Sequence, residues 1–233
     1  EELKKRLDIP VMHDDQHGTA IVVLAGLLNA TKVVKKNFKK LKVVISGAGA
    51  AGTAVAKLLI AAGITDIILL DRVGTIFTGR TDLNTHKKEL ADLTNPRRVE
   101  GGLAEAMQGA DAFIGVSGKG LLKAEHIAVM ASNGIVFAMA NPDPEILPDE
   151  AKKAGAAVVA TGRSDFPNQI NNALVFPGIF RGALDKEVKK ITEATKLRAA
   201  RALAALVPKP TAAKIVPDLL DPRVVKAVAQ AVR

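Results

Sequence analysis

The sequence contains no cysteine, no tryptophan and no tyrosine. Without cysteine there is no disulfide scaffold, no thiolate nucleophile and no Cys-ligated zinc or iron–sulfur site. Without tyrosine, no phenol on this chain can serve as a general acid. Aromatic residues amount to 3%, all of them phenylalanine, too few for the stacking platforms of a single-strand nucleic-acid binder. Nucleic acid is therefore not an expected partner. Apolar runs such as Ile21–Leu28 fall far short of the ~20 residues that a membrane span needs, so no membrane role is expected either. The chain opens with the charged run Glu1-Glu2-Leu3-Lys4-Lys5-Arg6, which reads as helical and not as a secretory leader. A cytoplasmic location is the default expectation. There is no initiating methionine, which fits a piece of a longer protein.

What remains is a chain of domain size, 233 residues with 48% hydrophobic content. That is too apolar for disorder and long enough for one substantial α/β domain. The net charge is +9, a balance that suits a nucleotide phosphate, an anionic substrate or nucleic acid. Basic residues concentrate in two places. Lys32, Lys35, Lys36, Lys39, Lys40 and Lys42 precede an apolar strand, and Lys186, Lys189, Lys190, Lys196, Arg198 and Arg201 lie on a helical pattern. Such runs are usually solvated faces.

Strand-like and helix-like segments alternate, which predicts a doubly wound, Rossmann-like, mostly parallel sheet with helices on both faces. Gly18–Val34 reads as a long, mostly buried helix. Strands are expected at Lys42–Ser46, Asp66–Leu70, Ala112–Val116, Ile135–Ala138 and Ala156–Ala160. Helices are expected at Ala51–Ala62, His86–Leu93, Gly102–Met107, Lys123–Ala131 and Pro148–Ala154, with extra C-terminal helices at Ala173–Leu184, Ile191–Leu206 and Pro222–Val232. No internal repeat or low-complexity tract interrupts the series.

Gly47-Ala48-Gly49-Ala50-Ala51-Gly52 fits G-x-G-x-x-G between a strand and a helix, the context in which that pattern binds a dinucleotide. Gly47 permits a tight turn, Gly49 lets backbone approach a pyrophosphate, and Gly52 lets the helix pack on the strand. The turn into the helix, at Ala50 and Ala51, presents free N–H groups and partial positive charge to phosphate. Asp71 lies at the end of the second strand, where a carboxylate can bind the adenosine ribose hydroxyls. This favours NAD over NADP, although the adjacent Arg72 can pair with a 2′-phosphate and reverse the preference.

His13-Asp14-Asp15-Gln16-His17 precedes the first long helix. The two histidines are spaced as metal ligands, but the Glu of H-E-x-x-H is missing. The paired carboxylates suit Mg²⁺ or Mn²⁺, which take hard oxygen ligands, or else one of them caps the helix. One or two carboxylates do not complete a metal site.

The stretch IPVMHDDQHGTA (Ile9–Ala20) closely resembles the segment joining the two domains of malic enzymes of the small prokaryotic type. VVISGAGAAG (Val43–Gly52), FAMANPDPEI (Phe137–Ile146), ATGRSDFPNQINNALVFPGIFRGAL (Ala160–Leu184) and DPRVVKAVAQAV (Asp221–Val232) agree in order. The Gly-rich turn is common to many dehydrogenases, whereas HDDQHGT and GRSDFPNQINN are far more specific. The resemblance implies oxidative decarboxylation of (S)-malate to pyruvate and CO₂, with hydride passed to NAD(P)⁺ and a divalent metal bound. It implies Asp15 as a metal ligand, with Asp14 supporting the site. It also places Asn141 against substrate and nicotinamide, Asn171 at the cofactor and Asn172 at the malate carboxylate. Residues 1–35 would then be an interdomain segment and first helix, and 36–233 the dinucleotide-binding domain. The remaining metal ligands, a Lys base and a Tyr acid would come from an N-terminal domain absent from this chain. The resemblance further implies a homo-oligomer. Arg163, Ser164, Asp165 and Arg181 serve equally well in ion pairs as at a ligand, and His86 and His126 read as surface or packing residues. Two other readings remain: a stand-alone nucleotide-binding or regulatory module, and another two-domain dehydrogenase such as one acting on amino acids.

Overall fold

The structure is a computed structural model, and it describes residues 2–233. Five strands form one sheet: β1 (Lys42–Ser46), β2 (Asp66–Leu70), β3 (Ala112–Gly115), β4 (Ile135–Ala138) and β5 (Val158–Thr161). Their order is β2-β1-β3-β4-β5 and every pairing is parallel. A parallel sheet covered on both faces needs strands that are apolar on both sides, and these runs are. Successive side chains alternate between two cores. Val43, Ile45, Ile67, Leu69, Ile114, Ile135 and Phe137 enter the larger one, and Val44, Ile68, Leu70, Phe113 and Val136 enter the other.

The larger core is closed by α2 (Thr19–Val33), α3 (Ala50–Ala61), α4 (Thr85–Leu93), α8 (Phe176–Asp185), α9 (Glu193–Ala205) and α10 (Arg223–Ala231). The smaller is closed by α5 (Leu103–Met107), α6 (Ala124–Ala128) and α7 (Pro148–Lys153). The expected doubly wound fold, with extra C-terminal helices, is therefore what forms. Helix α2 is buried almost all round, from Ala20 to Ala30, in the same core as the sheet. The opening charged run forms α1 (Glu2–Arg6) with no buried residue; Glu1 lies outside the described residues. No helix among the described residues is long and apolar enough to cross a membrane.

Several expected bounds shift by one or two residues, among them the helix expected at Ile191–Leu206, which runs over Glu193–Ala205, and the strand expected at Ala112–Val116, which ends at Gly115; three differences have a local cause. The helix expected over Ala173–Leu184 is interrupted: a 3-10 turn at Asn172–Leu174 precedes α8. Pro177 lacks the N–H that a continuous helix would offer to Ala173, so it is confined to the first turn of a new helix. Helix α6 stops at Ala128, not Ala131, because the Val129 carbonyl accepts from Gly109 N–H and Ala131 N–H is spent on the Ala110 carbonyl. Strand β5 begins at Val158, two residues later than expected; Ala157 N–H still bonds the Gly134 carbonyl ahead of the paired run.

Candidate functional site

Strand β1 has β2 on one side and β3 on the other, so the connection leaving β1 runs toward one edge of the sheet and the connection leaving its neighbour β3 toward the other. A crevice opens at such a switch point. Here it is a cavity of about 890 Å³ lined by Ser46, Gly47, Gly49, Asp71, Arg72 and Ser117, among others. Gly47 has φ +112°, a left-handed conformation that favours glycine, and a Cβ on it would sit 2.7 Å from the Val116 carbonyl oxygen. A Cβ on Gly52 would lie 1.8 Å from the Gly47 oxygen, so this residue is where helix and turn meet in contact. Gly49 differs: nothing lies within 4 Å of the Cβ it lacks. Its bareness serves no packing need of the chain and leaves room for something else. Ala50 and Ala51 open α3, where the first-turn N–H groups have no partner within the helix.

At the far end of this crevice, Asp71 lines the cavity and is held by four donors. It accepts from Lys87 Nζ at 2.6 Å, from Arg80 Nη2 at 2.9 Å, and from the backbone N–H groups of Val73 and Gly74 at 3.0 and 3.2 Å. Burial works to raise its pKa, but these donors, Lys87 foremost, hold it down at about 2 against an ordinary 3.8. A lowered carboxyl contributes stability that is complete above its unfolded pKa and is lost as pH falls through its folded one. The contribution is on the order of 2 kcal/mol at neutral pH and about half that at pH 3. Urea unfolding of the native chain and of Asp71→Asn should show a stability gap at pH 6 that narrows by about half at pH 3. A gap that does not change over this interval would mean that the cations do not anchor Asp71.

A second, smaller cavity of about 310 Å³ adjoins the first; Val116 and Ser117 line both. It gathers Asp15, Thr19, Asn141, Asn171 and Asn172, residues up to 157 positions apart in sequence. Residues Asp14–Gly18 form one π-helical turn leading into α2, and no side chain caps either start. The two carboxylates have different environments. Asp15 is exposed at the cavity. Asp14 folds back beneath it into space left by Gly18, where a Cβ would lie 2.1 Å from Asp14 Oδ1. Asn172 Nδ2 donates to both, at 2.7 Å to Asp14 Oδ2 and 3.3 Å to Asp15 Oδ1. Asp14 Oδ1 is buried with no hydrogen-bond partner among the described residues. Burial, then the charge of Asp15, pushes the Asp14 pKa up. Asn171 uses its side-chain oxygen to cap the turn it precedes. Asn141 is joined to Pro142 by a cis peptide bond.

The family described as malic enzyme, NAD binding domain, matches residues 16–233. The chain belongs to this family. Among its relatives, the NAD-dependent malic enzyme of Geobacillus stearothermophilus is 53% identical over 99% of this chain and 48% of its own length. The NADP-dependent malic enzyme of Rhizobium meliloti is 47% identical over 100% of this chain and 33% of its own. The crystal structure of the NAD-dependent malic enzyme of Thermotoga maritima is 45% identical and superposes with a TM-score of 0.95 over 98% of this chain and 61% of that one. The chain thus spans about half or less of the curated relatives it matches.

For a malic enzyme NAD-binding domain, the crevice has the right fit for a dinucleotide: an open Gly49, an uncapped helix start and an acid at the end of β2. The donors around Asp15 fit a hard divalent cation only in part. The Asp15 carboxylate at the cavity and the orphaned Oδ1 of Asp14 beneath it are of the right chemistry, yet no group of three Asp, Glu, His or Cys among the described residues is placed to hold a metal. His17 does not add to them: it is buried, and its Nδ1 faces the His13 backbone N–H at 3.4 Å.

The basic clusters lie elsewhere. Lys42 begins β1 at its amino end, a strand's length from the crevice, and Lys36 pairs with Asp111 there at 2.7 Å. In the second cluster, Lys186 Nζ donates to the carbonyls of Ala229, Gln230 and Val232, and Arg198 Nε to that of Ala231, satisfying the end of α10. No residue of either cluster lines the two cavities. Conversely, sequence reasoning passed over Arg80, Lys87, Ser46 and Ser117 at the crevice. The serines carried a usable signal, each standing at or just past the carboxyl end of a strand flanking the switch point. The two cations had none. Arg163, Ser164 and Asp165 stay out of the second cavity; Arg163 pairs with Asp165 at 2.6 Å and its Nη1 donates to the Pro142 carbonyl.

Proposed function

We propose that this chain is the coenzyme-binding part of an enzyme that converts (S)-malate to pyruvate and CO₂. Residues 1–35 are the interdomain segment and first helix, the helix packing into the core of the dinucleotide-binding domain formed by 36–233, and the assembled protein is a cytoplasmic homo-oligomer. The observation that carries the reading is the adjacency of the two cavities: a dinucleotide crevice opens through Val116 and Ser117 onto a pocket of one carboxylate, Asp15, and three carboxamides.

In this reading Gly47, Gly49, Ala50, Ala51 and Gly52 seat the diphosphate, and Asp71 meets the adenosine ribose, with NAD⁺ preferred over NADP⁺. A coenzyme held there would supply the hydride acceptor for malate C2. Asp15 would contribute one ligand to a Mg²⁺ or Mn²⁺ ion completed from outside this chain, and that ion would supply Lewis-acid polarisation of the substrate oxygens. Asp14 orients Asp15 through their shared Asn172. Asn141 and Asn171 hold a carboxylate and the nicotinamide by neutral hydrogen bonds, which orient a dianion without cancelling the cation's charge, whereas Asn172, whose amide N–H groups are spent on Asp14 and Asp15, acts at the malate carboxylate only by way of those two acids. Loss of CO₂ breaks the C3–C4 bond and leaves its electron pair on C3, to be protonated. The proton donor, and the base that takes the C2 hydroxyl proton, lie outside this chain.

The test compares the 233-residue chain with the full-length polypeptide, using malate, NAD⁺ or NADP⁺, and Mg²⁺ or Mn²⁺. The chain alone should bind NAD⁺ and release no pyruvate, and the full-length protein should release pyruvate, CO₂ and NADH in equal amounts. Turnover by the chain alone would overturn the division of labour, and an absence of coenzyme binding would overturn the reading altogether.

A further inference from the structure

Glu145 is fully buried, yet no cation pairs with it among the described residues. Its carboxylate is satisfied by two loops. Oε1 accepts from the Ser117 backbone N–H at 3.0 Å and lies 3.4 Å from Ser117 Oγ, and Oε2 accepts from the Ala140 backbone N–H at 3.0 Å. The Glu145 segment returns the contact: Leu122 N–H donates to the Glu145 carbonyl and Gly120 N–H to that of Pro144. Room for this carboxylate is made by Gly115, where a Cβ would lie 2.3 Å from the carboxyl carbon. Burial pushes the carboxyl pKa up and the N–H donors oppose it.

The two loops are the ones that matter at the site. Ser117 follows β3, lines both cavities and shares a 3.0 Å hydroxyl contact with Ser46 in the coenzyme crevice. Ala140 follows β4 and immediately precedes Asn141 in the carboxamide pocket. A single carboxylate therefore sets the spacing between the wall of the coenzyme crevice and the first amide of the substrate pocket.

We propose that Glu145 is a positioning residue that holds the Ser117 and Asn141 loops at the separation the nicotinamide half of the coenzyme requires. It touches neither coenzyme nor substrate. The inference rests on the dinucleotide reading above and adds a division within the crevice. The adenosine and diphosphate end, at Gly49 and Asp71, is independent of Glu145; the nicotinamide end is not.

The experiment uses two ligands that share one half. NADH carries the nicotinamide riboside, and ADP-ribose lacks the nicotinamide ring. Glu145→Gln keeps the side-chain size but turns an NH₂ donor toward one of two N–H donors, freeing one loop. Dissociation constants from calorimetry on the 233-residue chain should rise about tenfold for NADH, the cost of one unsatisfied buried group, and stay unchanged for ADP-ribose. Glu145→Asp, which keeps the charge but is one methylene short, should show the same split to a smaller degree and serves if the glutamine variant does not fold. In the unsubstituted chain, amide exchange at Ser117 and Ala140 should slow with NADH and not with ADP-ribose. Equal weakening of both ligands, or no weakening of either, would overturn the proposal, and so would exchange that responds alike to both ligands. If neither ligand binds the native chain, it is the dinucleotide reading that fails.

Discussion

Gly49→Val should leave the protein folded and remove most of its affinity for a dinucleotide. The position is an N-cap with φ −80° and ψ −165°, extended backbone that valine adopts freely. Nothing in the chain lies within 4 Å of the added Cβ, so the stability cost is confined to a poorer cap, about 1 kcal/mol or less. The side chain would instead occupy space above the first turn of α3, where a diphosphate must come within hydrogen-bond reach of backbone N–H groups. Losing two such charge-assisted bonds at ~1.5 kcal/mol each weakens binding about a hundredfold. Gly52→Ala makes the contrast. There the Cβ meets the Gly47 oxygen at 1.8 Å and Val116 Cγ2 at 3.2 Å, and the overpacking costs about 1–3 kcal/mol in the absence of any ligand. Thermal melts and NADH titrations of both variants separate the two roles. Unchanged NADH affinity in Gly49→Val, in a protein that melts normally, would show that the diphosphate does not cross this turn.

That the two glycines differ in kind is invisible in the string GAGAAG, although its purpose as a turn is not. The same division runs through the molecule. Strands Lys42–Ser46, Asp66–Leu70 and Ile135–Ala138 were legible to the residue because a parallel strand buried on both faces must be an unbroken apolar run, and such a run has sharp ends. The break before Pro177 was legible in principle, since the ring removes a donor, but the apolar pattern on both sides masks it. Among the asparagines of GRSDFPNQINN, type and neighbourhood do not separate purpose. Asn171 and Asn172 reach the carboxamide pocket. Asn168 turns the other way, at φ +60°, and spends its amide on the carbonyls of Val159 and Ala212 and the N–H of Ile215. The adjacent Asp14 and Asp15 likewise part company only in three dimensions, where Gly18 gives one of them room to turn under. Hardest to foresee was the neighbourhood of Asp71. Its partners Arg80 and Lys87 lie 9 and 16 residues further on, in a polar loop and the helix after it, with no periodicity to announce them.

Those partners make coenzyme choice the most sensitive property of the crevice. Asp71 lies between Lys87 and Arg80, with Arg72 lining the same cavity. With the carboxylate in place, its anion repels a 2′-phosphate and accepts from ribose hydroxyls, so NAD⁺ should bind the native chain more tightly than NADP⁺. Asp71→Ala removes the acceptor and leaves two cations without their counter-ion. NAD⁺ then loses a charge-assisted hydrogen bond, about 1.5–3 kcal/mol, and NADP⁺ gains one or more of the same kind. The ratio of the two dissociation constants should move by about a hundredfold or more in favour of NADP⁺. Calorimetric titration of both coenzymes into both proteins at neutral pH measures it directly. The new affinity should fall with added salt, because it rests on charges near the surface. A native chain that already prefers NADP⁺ would mean that Lys87 and Arg80 outweigh the carboxylate they hold, and Asp71 would then serve to order the cations rather than to select the ribose.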